Sequence, residues 1–238
     1  MLRYRAIVPR VQPGERLPVL YLFHGANGGP AEIEQRSEVV QLAATYRLIV
    51  IMPEAGYSYY TNAKHLMHAR WEDAITADLP SDVESRFPIL GGREHRGIAG
   101  ISMGGYGAVK LALKHPDLYG FAANMSGPLD ITSRPATIRR FWQTYRVMTI
   151  FGVNPTSRQD DDVFHLLEST PANELQNIKW FSSCGMNDPL YAINTRFVRE
   201  MRRRGAVLDA ITTPGFHDWQ SWNTAMPLMF KAAGDDLH

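Results

Sequence analysis

Short apolar runs alternate along the chain with longer segments in which apolar residues recur at helical spacing. Most of the runs are continuous and end at Gly or Pro, which is typical of strands that are buried on both faces of a sheet. We predict six strands, at residues 19–23, 48–52, 96–101, 121–125, 178–184 and 207–212. The last alternates apolar and polar positions, so we expect it nearer an edge of the sheet.

Helical patterns fill the intervals between these runs. The predicted helices cover residues 32–46, 107–114, 163–167 and 191–204, and the last ends in a basic turn before Gly205. Strands that alternate with helices form a mostly parallel sheet with helices on both faces, so the predicted fold class is α/β. In such sheets, the catalytic and ligand-binding residues lie on loops at the carboxyl ends of the strands.

Composition narrows the classes of function. The chain has 238 residues without an internal repeat or a linker, which indicates one domain over residues 1–238. A formal charge of +1 provides no broad basic surface for nucleic acid, and no apolar run approaches the roughly 20 residues of a membrane span. The basic run 202–204 complements a helix dipole, and the acidic run 160–162 is expected to cap the next helix.

The single cysteine, Cys184, excludes an internal disulfide and a cysteine-based zinc site. It lies in a predicted buried strand, where a thiol acts as a small apolar side chain.

The first residues are too polar for a signal peptide, so the expected location is the cytoplasm. We expect no metal and no organic cofactor. The sequence leaves the oligomeric state open, a homodimer included.

The segment that carries most chemical information is Gly-Ile-Ser-Met-Gly at residues 100–104. An apolar strand precedes it and a helical pattern follows, which is the setting of a nucleophile elbow. The turn is tight, so side chains at 100 and 104 are expected to collide with neighbouring backbone. The helix begins beneath Ser102, and its dipole favours negative charge there. The alternative interpretation is a glycine-rich turn with an incidental serine.

A serine becomes a nucleophile when a base removes its proton, and that base needs an orienting carboxylate. After a serine in this kind of elbow, the chain order is Asp or Glu and then His. His217 follows the last predicted strand directly and is the predicted base. The other histidines beyond Ser102 lie at a helix end, in a short helix or at the chain end, namely His115, His165 and His238.

Asp188 is the predicted carboxylate. It follows the fifth predicted strand, and one helix and one strand separate it from His217, so both loops reach the same edge of the sheet. Asp209 lies inside a strand, and the side chain of Asp218 cannot easily fold back onto its neighbour His217. Asp130, on the loop after the fourth strand, remains an alternative.

An acyl-transfer site also needs two backbone N–H groups directed at the oxyanion. The residue after the nucleophile, Met103, provides one. The other is expected from the loop His-Gly-Ala-Asn-Gly-Gly at 24–29, in which Gly25 allows a sharp turn that leaves the Ala26 N–H free to point inward. His24 is expected to hold this loop by hydrogen bonding.

Four segments together carry a family resemblance: Tyr-Leu-Phe-His-Gly at 21–25, Gly-Ile-Ser-Met-Gly-Gly-Tyr-Gly-Ala at 100–108, Cys-Gly-Met-Asn-Asp at 184–188 and Gly-Phe-His-Asp-Trp at 215–219. From about residue 18 to residue 222, the chain resembles the esterase D-like branch of the α/β-hydrolases. That branch includes S-formylglutathione hydrolases, feruloyl and acetylxylan esterases, tributyrin-type esterases and antigen 85 mycolyltransferases.

The resemblance implies an α/β-hydrolase fold, a triad of Ser102, Asp188 and His217, and oxyanion donors at Ala26 and Met103. Family members usually have an additional N-terminal strand pair, so the sheet is expected to lack its first strands. S-formylglutathione hydrolases carry more cysteines and a different oxyanion loop, which favours a small-ester hydrolase.

The predicted function is hydrolysis of small-molecule carboxylic esters, with short-chain acyl, acetyl or hydroxycinnamoyl groups, through an acyl-enzyme on Ser102. The alternatives are an acyltransferase with the same triad, an S-formylglutathione hydrolase-like thioesterase and a non-catalytic binding protein. Residues 128–171 interrupt the strand–helix rhythm and are predicted to form a partial lid. Aromatic side chains are the expected source of specificity, and the predicted substrate contacts are Tyr59, Tyr60, Trp142 and Trp219.

Overall fold

The computed structural model describes residues 2–133 and 141–238, without the side chains of residues 141–143 and 155. Within these residues seven strands form one sheet, in the spatial order β1-β3-β2-β4-β5-β6-β7. The strands are β1 (Tyr4–Ile7), β2 (Val19–Phe23), β3 (Ile49–Pro53), β4 (Arg96–Ile101), β5 (Phe121–Met125), β6 (Lys179–Gly185) and β7 (Val207–Thr213). β1 is antiparallel to β3, and every other pair is parallel. The predicted α/β class is confirmed.

The six strands predicted from apolar runs are present, with ends that differ by at most one residue. The expectation that the sheet lacks its first strands is corrected in one respect, because β1 occupies an edge position. Tyr4 of β1 pairs with Pro53, 49 residues along the chain. Its two middle residues are exposed. So short a strand with an exposed centre has no apolar run that would indicate it, and its pairing with β3 decides its conformation.

Helices cover both faces of the sheet. They are α1 (Pro30–Arg36), α2 (Val39–Thr45), α3 (Trp71–Asp73), α4 (Leu79–Arg86), α5 (Met103–Lys114), α6 (Phe141–Phe151), α7 (Val163–Ser169), α8 (Ala172–Asn177), α9 (Tyr191–Arg203) and α10 (Trp219–Leu237). A π-helical segment, Ala74–Asp78, joins α3 to α4, and a 3₁₀ segment, Pro155–Asp161, precedes α7. None of these helices is both long enough and apolar enough to cross a membrane.

The single helix predicted over residues 32–46 is wrong, because the chain forms α1 and α2 there. Ser37 lies between them in an extended conformation. Its hydroxyl donates to the Ile33 carbonyl, and it accepts a hydrogen bond from the Val39 N–H. A serine side chain that bonds nearby backbone groups competes with the helical ladder, which ends α1 at this point.

The core has two layers, one on each face of the sheet. Alternate residues of β2 point to opposite layers: Tyr21 and Phe23 face α5 and α9, whereas Leu20 and Leu22 face α2 and α10. Because both faces are covered, every residue of β2 is buried. The same arrangement explains why the central strands are continuous apolar runs.

The predicted lid segment, 128–171, connects β5 to β6. Part of it, residues 134–140, lies outside the described residues, so a lid remains a prediction. The described part contains α6 and α7, and the side chain of Asp162 caps α7 by accepting a hydrogen bond from the His165 N–H at 2.9 Å. The helix-capping role that the sequence predicts for the acidic run 160–162 is confirmed at Asp162.

Candidate active site

Four loops that follow β2, β4, β6 and β7 meet at one edge of the sheet. These strands are parallel, so their carboxyl ends lie on the same side. The loops carry Ala26, Ser102, Asp188 and His217, which are far apart in the sequence. The topology therefore determines that these predicted residues share one edge.

Ser102 occupies the turn between β4 and α5 with φ 54° and ψ −117°. This left-handed conformation is rare for a residue with a side chain. A Cβ at Gly100 would lie 2.8 Å from the Gly104 Cα, and a Cβ at Gly104 would lie 2.7 Å from the Phe23 carbonyl carbon. A side chain at either position would thus collide with backbone atoms, as predicted from the sequence.

The structure brings Ser102, His217 and Asp188 into one hydrogen-bonded chain. The Ser102 Oγ lies 2.8 Å from His217 Nε2, and His217 Nδ1 lies 2.8 Å from Asp188 Oδ2. The Asp188 carboxylate accepts a hydrogen bond from the Nδ1–H, so Nε2 is free to accept a hydrogen bond from the serine hydroxyl. The Asp188 side chain is fully buried, whereas the imidazole is 31% exposed toward the edge.

Asp188 remains ionised because its hydrogen bonds outweigh its burial. Burial alone would raise the pKa of this carboxyl, but bonds from His217, the Leu190 N–H and the Ser126 hydroxyl lower it below its ordinary value. The Leu190 N–H donates to Oδ1 at 2.7 Å. Sequence reasoning did not identify Ser126, although its position directly after β5 was an available signal.

The rival carboxylates and histidines occupy other positions. Asp218 caps α10 by accepting a hydrogen bond from the Ser221 N–H at 3.0 Å, and Asp209 lies within β7. His115 contacts Glu72 at 3.2 Å. Cys184 is buried and its thiol pKa is raised to about 12, so it stays protonated, as expected of a structural cysteine.

Two peptide groups that could provide the predicted N–H donors are close to the serine in the fold. Met103 is the first residue of α5, and the first N–H groups of a helix have no acceptor within that helix. Gly25 lies against Ser102, since a Cβ at Gly25 would be 3.4 Å from the serine Cβ. The peptide group that joins Gly25 to Ala26 is therefore next to the hydroxyl-bearing residue.

Two tryptophans pack behind His217. The Trp222 ring packs edge to face against the imidazole, with 5.2 Å between the ring centroids. The Trp219 ring packs against Trp222 in the same way, with 5.3 Å between centroids. The Trp219 Nε1 donates to Glu32 at 3.1 Å, so this indole is held against α1. Trp219 remains a predicted substrate contact, and the bond to Glu32 fixes its orientation.

Tyr59 and Tyr60, two of the predicted substrate contacts, lie in the core in this structure. Both have positive φ and both are buried, with side chains directed into the core. Tyr60 is fully buried and stacks on Phe23 with 4.1 Å between ring centroids. The side chain of Trp142, a third predicted contact, lies outside the described residues.

The described residues contain no cluster of three or more His, Cys, Asp or Glu side chains with a geometry that could hold a metal ion. The arrangement present is a hydroxyl, an imidazole and a buried carboxylate in one hydrogen-bonded chain, with the first N–H group of α5 next to the hydroxyl-bearing residue. Such a set can remove a proton from a serine, attack a carbonyl carbon and stabilise the resulting oxyanion.

Comparison with known proteins agrees with the resemblance seen in the motifs. The Esterase family model matches residues 3–233. The acetyl esterase of Caldicellulosiruptor saccharolyticus is 27% identical over 222 residues, which cover 91% of this chain and 83% of that protein. An esterase of Mycobacterium tuberculosis is 33% identical over 124 residues, but these are 50% of this chain and 27% of its own length.

Among solved structures, the fluorophosphonate-binding serine hydrolase F of Staphylococcus aureus superposes with a TM-score of 0.85. The two chains are 24% identical, and the alignment covers 98% of this chain and 92% of the other. At this identity the likeness establishes the fold, which is that of the α/β-hydrolases.

Proposed function

The chain belongs to the Esterase family, and on that premise we propose that it hydrolyses small carboxylic esters through an acyl-enzyme on Ser102. The observation that carries the proposal is the unbroken pair of 2.8 Å contacts from Ser102 through His217 to Asp188. If Ser102 were only an incidental serine in a glycine-rich turn, its hydrogen bond to an imidazole that a carboxylate orients would be unexplained.

The first half of the reaction forms the acyl-enzyme. His217 accepts the Ser102 proton at Nε2 while Oγ attacks the ester carbonyl, and Asp188 stabilises the imidazolium. The carbonyl oxygen becomes an oxyanion that accepts hydrogen bonds from the Met103 and Ala26 N–H groups. His217 then donates its proton to the leaving alcohol as the carbon–oxygen bond breaks.

The second half uses water in place of the alcohol. Water donates a proton to His217 Nε2 and attacks the acyl carbonyl, and the same two N–H groups stabilise the second oxyanion. Collapse of this intermediate releases the carboxylic acid and returns the proton to Ser102. Every proton transfer uses the one imidazole nitrogen, so no further acid or base is needed.

We propose small acyl groups, acetyl in particular, as the substrates. The support is the similarity to an acetyl esterase over 91% of this chain. A panel of p-nitrophenyl acetate, butyrate and octanoate, with methyl ferulate and acetylated xylan, tests this choice. The highest kcat/KM is expected with acetate, and a preference for octanoate or ferulate would contradict it.

The decisive test is loss of the nucleophile and of the base. Ser102→Ala and His217→Ala are each expected to abolish hydrolysis of p-nitrophenyl acetate, and Ser102→Ala to abolish labelling by a fluorophosphonate probe. Ser85→Ala, which removes an exposed hydroxyl, is the matched control and should retain full activity. Unchanged turnover in Ser102→Ala would overturn the proposal.

A further inference from the structure

His24 follows β2 and is buried, with 1% of its surface exposed. The Ala55 N–H donates to its Nε2 at 3.1 Å, and its Nδ1 lies 2.7 Å from the Gly25 carbonyl oxygen. A backbone N–H can only donate and a carbonyl oxygen can only accept. These two partners therefore require a bare Nε2 and a proton on Nδ1, which defines one neutral tautomer.

The surroundings of the ring keep it neutral. Burial lowers the pKa of His24, and this effect outweighs the bond to the Gly25 carbonyl and the nearby carboxylates of Glu54 and Glu32. Tyr60 is another titratable neighbour, with its ring centroid 5.9 Å from that of His24. A proton added to Nε2 would also break the bond from the Ala55 N–H.

The bond from Nδ1 acts on the peptide group that joins Gly25 to Ala26. Its carbonyl oxygen accepts from His24 and also from the Gly28 N–H at 3.3 Å. In a trans peptide the N–H points opposite to the C=O. Holding the Gly25 carbonyl toward the imidazole therefore makes the Ala26 N–H, which lies in the same peptide plane, point away from the imidazole.

The preceding peptide group is held as well. The Tyr60 hydroxyl donates to the His24 carbonyl oxygen at 3.0 Å. Because Gly25 lies against Ser102, rotation of either peptide plane would change which backbone group the serine meets. A glycine offers no side chain to resist such rotation, so the resistance has to come from these hydrogen bonds.

We propose that His24, as its neutral Nδ1–H tautomer, is a positioning residue that directs the Ala26 N–H toward the oxyanion. This inference rests on the proposed esterase function. It assigns separate roles to the two ring nitrogens: Nδ1 orients the donor, and Nε2 attaches the loop to the segment that follows β3. Loss of one oxyanion donor typically lowers turnover by about 10² to 10³.

Two amide variants separate these roles. The amide nitrogen of asparagine corresponds to Nδ1, so His24→Asn can still donate to Gly25 but cannot reach Ala55. The amide oxygen of glutamine corresponds to Nε2, so His24→Gln can still accept from Ala55 but loses the bond to Gly25. We expect kcat for p-nitrophenyl acetate to fall about 100-fold in His24→Gln and less than about tenfold in His24→Asn, with KM changed little in both.

A tetrahedral inhibitor reports on the oxyanion contact itself. A trifluoromethyl ketone forms a hemiketal whose oxyanion occupies the donor site, so its affinity should fall in parallel with kcat/KM in His24→Gln and be largely retained in His24→Asn. The control is Trp180→Phe, which removes another buried side-chain-to-backbone bond, to Leu175, in a residue near the opposite end of β6. It should lower Tm without changing kcat. Equal losses of kcat in both His24 variants, or losses that follow Tm across all three proteins, would overturn the inference.

The tautomer can be tested without any activity. Long-range ¹H–¹⁵N NMR of the wild-type protein should show, for the imidazole whose signals disappear in His24→Gln, a protonated Nδ1 and an unprotonated Nε2. The opposite tautomer would reject the inference even in an active esterase. A wild-type protein that neither hydrolyses esters nor reacts with a fluorophosphonate would instead reject the proposed function.

Discussion

At the scale of single residues, Ser102 is held in a backbone conformation that costs on the order of 1–3 kcal/mol in a non-glycine residue. The surrounding backbone compensates this cost. The Ser102 N–H donates to the Met125 carbonyl at 2.8 Å, and the Ser102 carbonyl accepts from the Tyr106 N–H at 3.1 Å. The strained turn thus connects β4, β5 and α5, so the hydroxyl is directed by three elements at once.

Gly104→Ala should disrupt this turn. The new Cβ would lie 2.7 Å from the Phe23 carbonyl carbon and 2.8 Å from the His24 carbonyl oxygen, which are backbone atoms that cannot rotate away. We expect a loss of more than about 3 kcal/mol in the free energy of unfolding, measured by urea denaturation. Gly91→Ala is the matched control, because a Cβ there meets nothing within 4 Å. Equal stability of the two variants would disprove the steric explanation.

Asp188→Asn should lower kcat by about 10⁴ while leaving the fold intact. An amide in place of the carboxylate can present an N–H to Nδ1, which favours the tautomer that cannot accept the Ser102 proton. Steady-state kinetics with p-nitrophenyl acetate measures the effect. The control is Asp130→Asn, which should keep normal kcat. The reverse outcome would make Asp130 the orienting carboxylate.

At the scale of elements, a buried charge network holds α5 in place beneath the site. Lys110 of α5 is fully buried, and its ammonium donates to the Tyr60 carbonyl, the Thr61 hydroxyl and Glu72. Asp161 lies 3.6 Å from the same ammonium. These groups belong to α3, to the segment after β3 and to the 3₁₀ segment before α7, so one side chain connects four parts of the chain.

Lys110→Met should destabilise the protein by about 3 kcal/mol, because it removes the fully buried ammonium that pairs with Glu72 and Asp161 and leaves Lys114 as the remaining lysine partner of these buried carboxylates. Urea denaturation at pH 7 measures the change. The matched control is Lys231→Met, which removes an exposed ion pair with Asp235 and should leave the midpoint unchanged. A midpoint for Lys110→Met equal to that of the control would show that the network does not stabilise the fold.

At the scale of the whole molecule, acid should destabilise the protein in two stages. The pKa of His24 is lowered in the folded state, mainly by burial. An unfolded histidine, with a pKa of about 6.5, then binds a proton that the folded one does not, so stability falls as the pH drops below that value. Burial alone would raise the pKa of Glu72, but His115, Lys110 and Lys114 together lower it. Its contribution is lost at more acidic pH, as the pH falls through the folded-state pKa.

His24→Gln isolates the first stage. Because glutamine does not titrate, the decline in urea midpoint between pH 7 and pH 5 should be shallower in this variant than in the wild type. Both proteins keep the other seven histidines, so the difference in slope reports on residue 24. Identical slopes would show that His24 is equally protonated in the folded and unfolded states.

The sequence by itself determined the parallel sheet, the elbow at Ser102 and the chain order that leads to Asp188 and His217. These features are local, because buried strands require apolar runs and a tight strand-to-helix turn requires small residues. The carboxyl ends of parallel strands then have to meet at one edge. The residues of the site could therefore be chosen before any contact between them was known.

Only the tertiary structure decided what each side chain contacts across the fold. It placed Tyr60 in the core and added β1 to the sheet edge. It also placed two carboxylates beside Lys110 and gave Nε2 of His24 a partner in the Ala55 N–H. These outcomes depend on packing between segments tens of residues apart, and local periodicity carries no information about which distant backbone group a side chain meets.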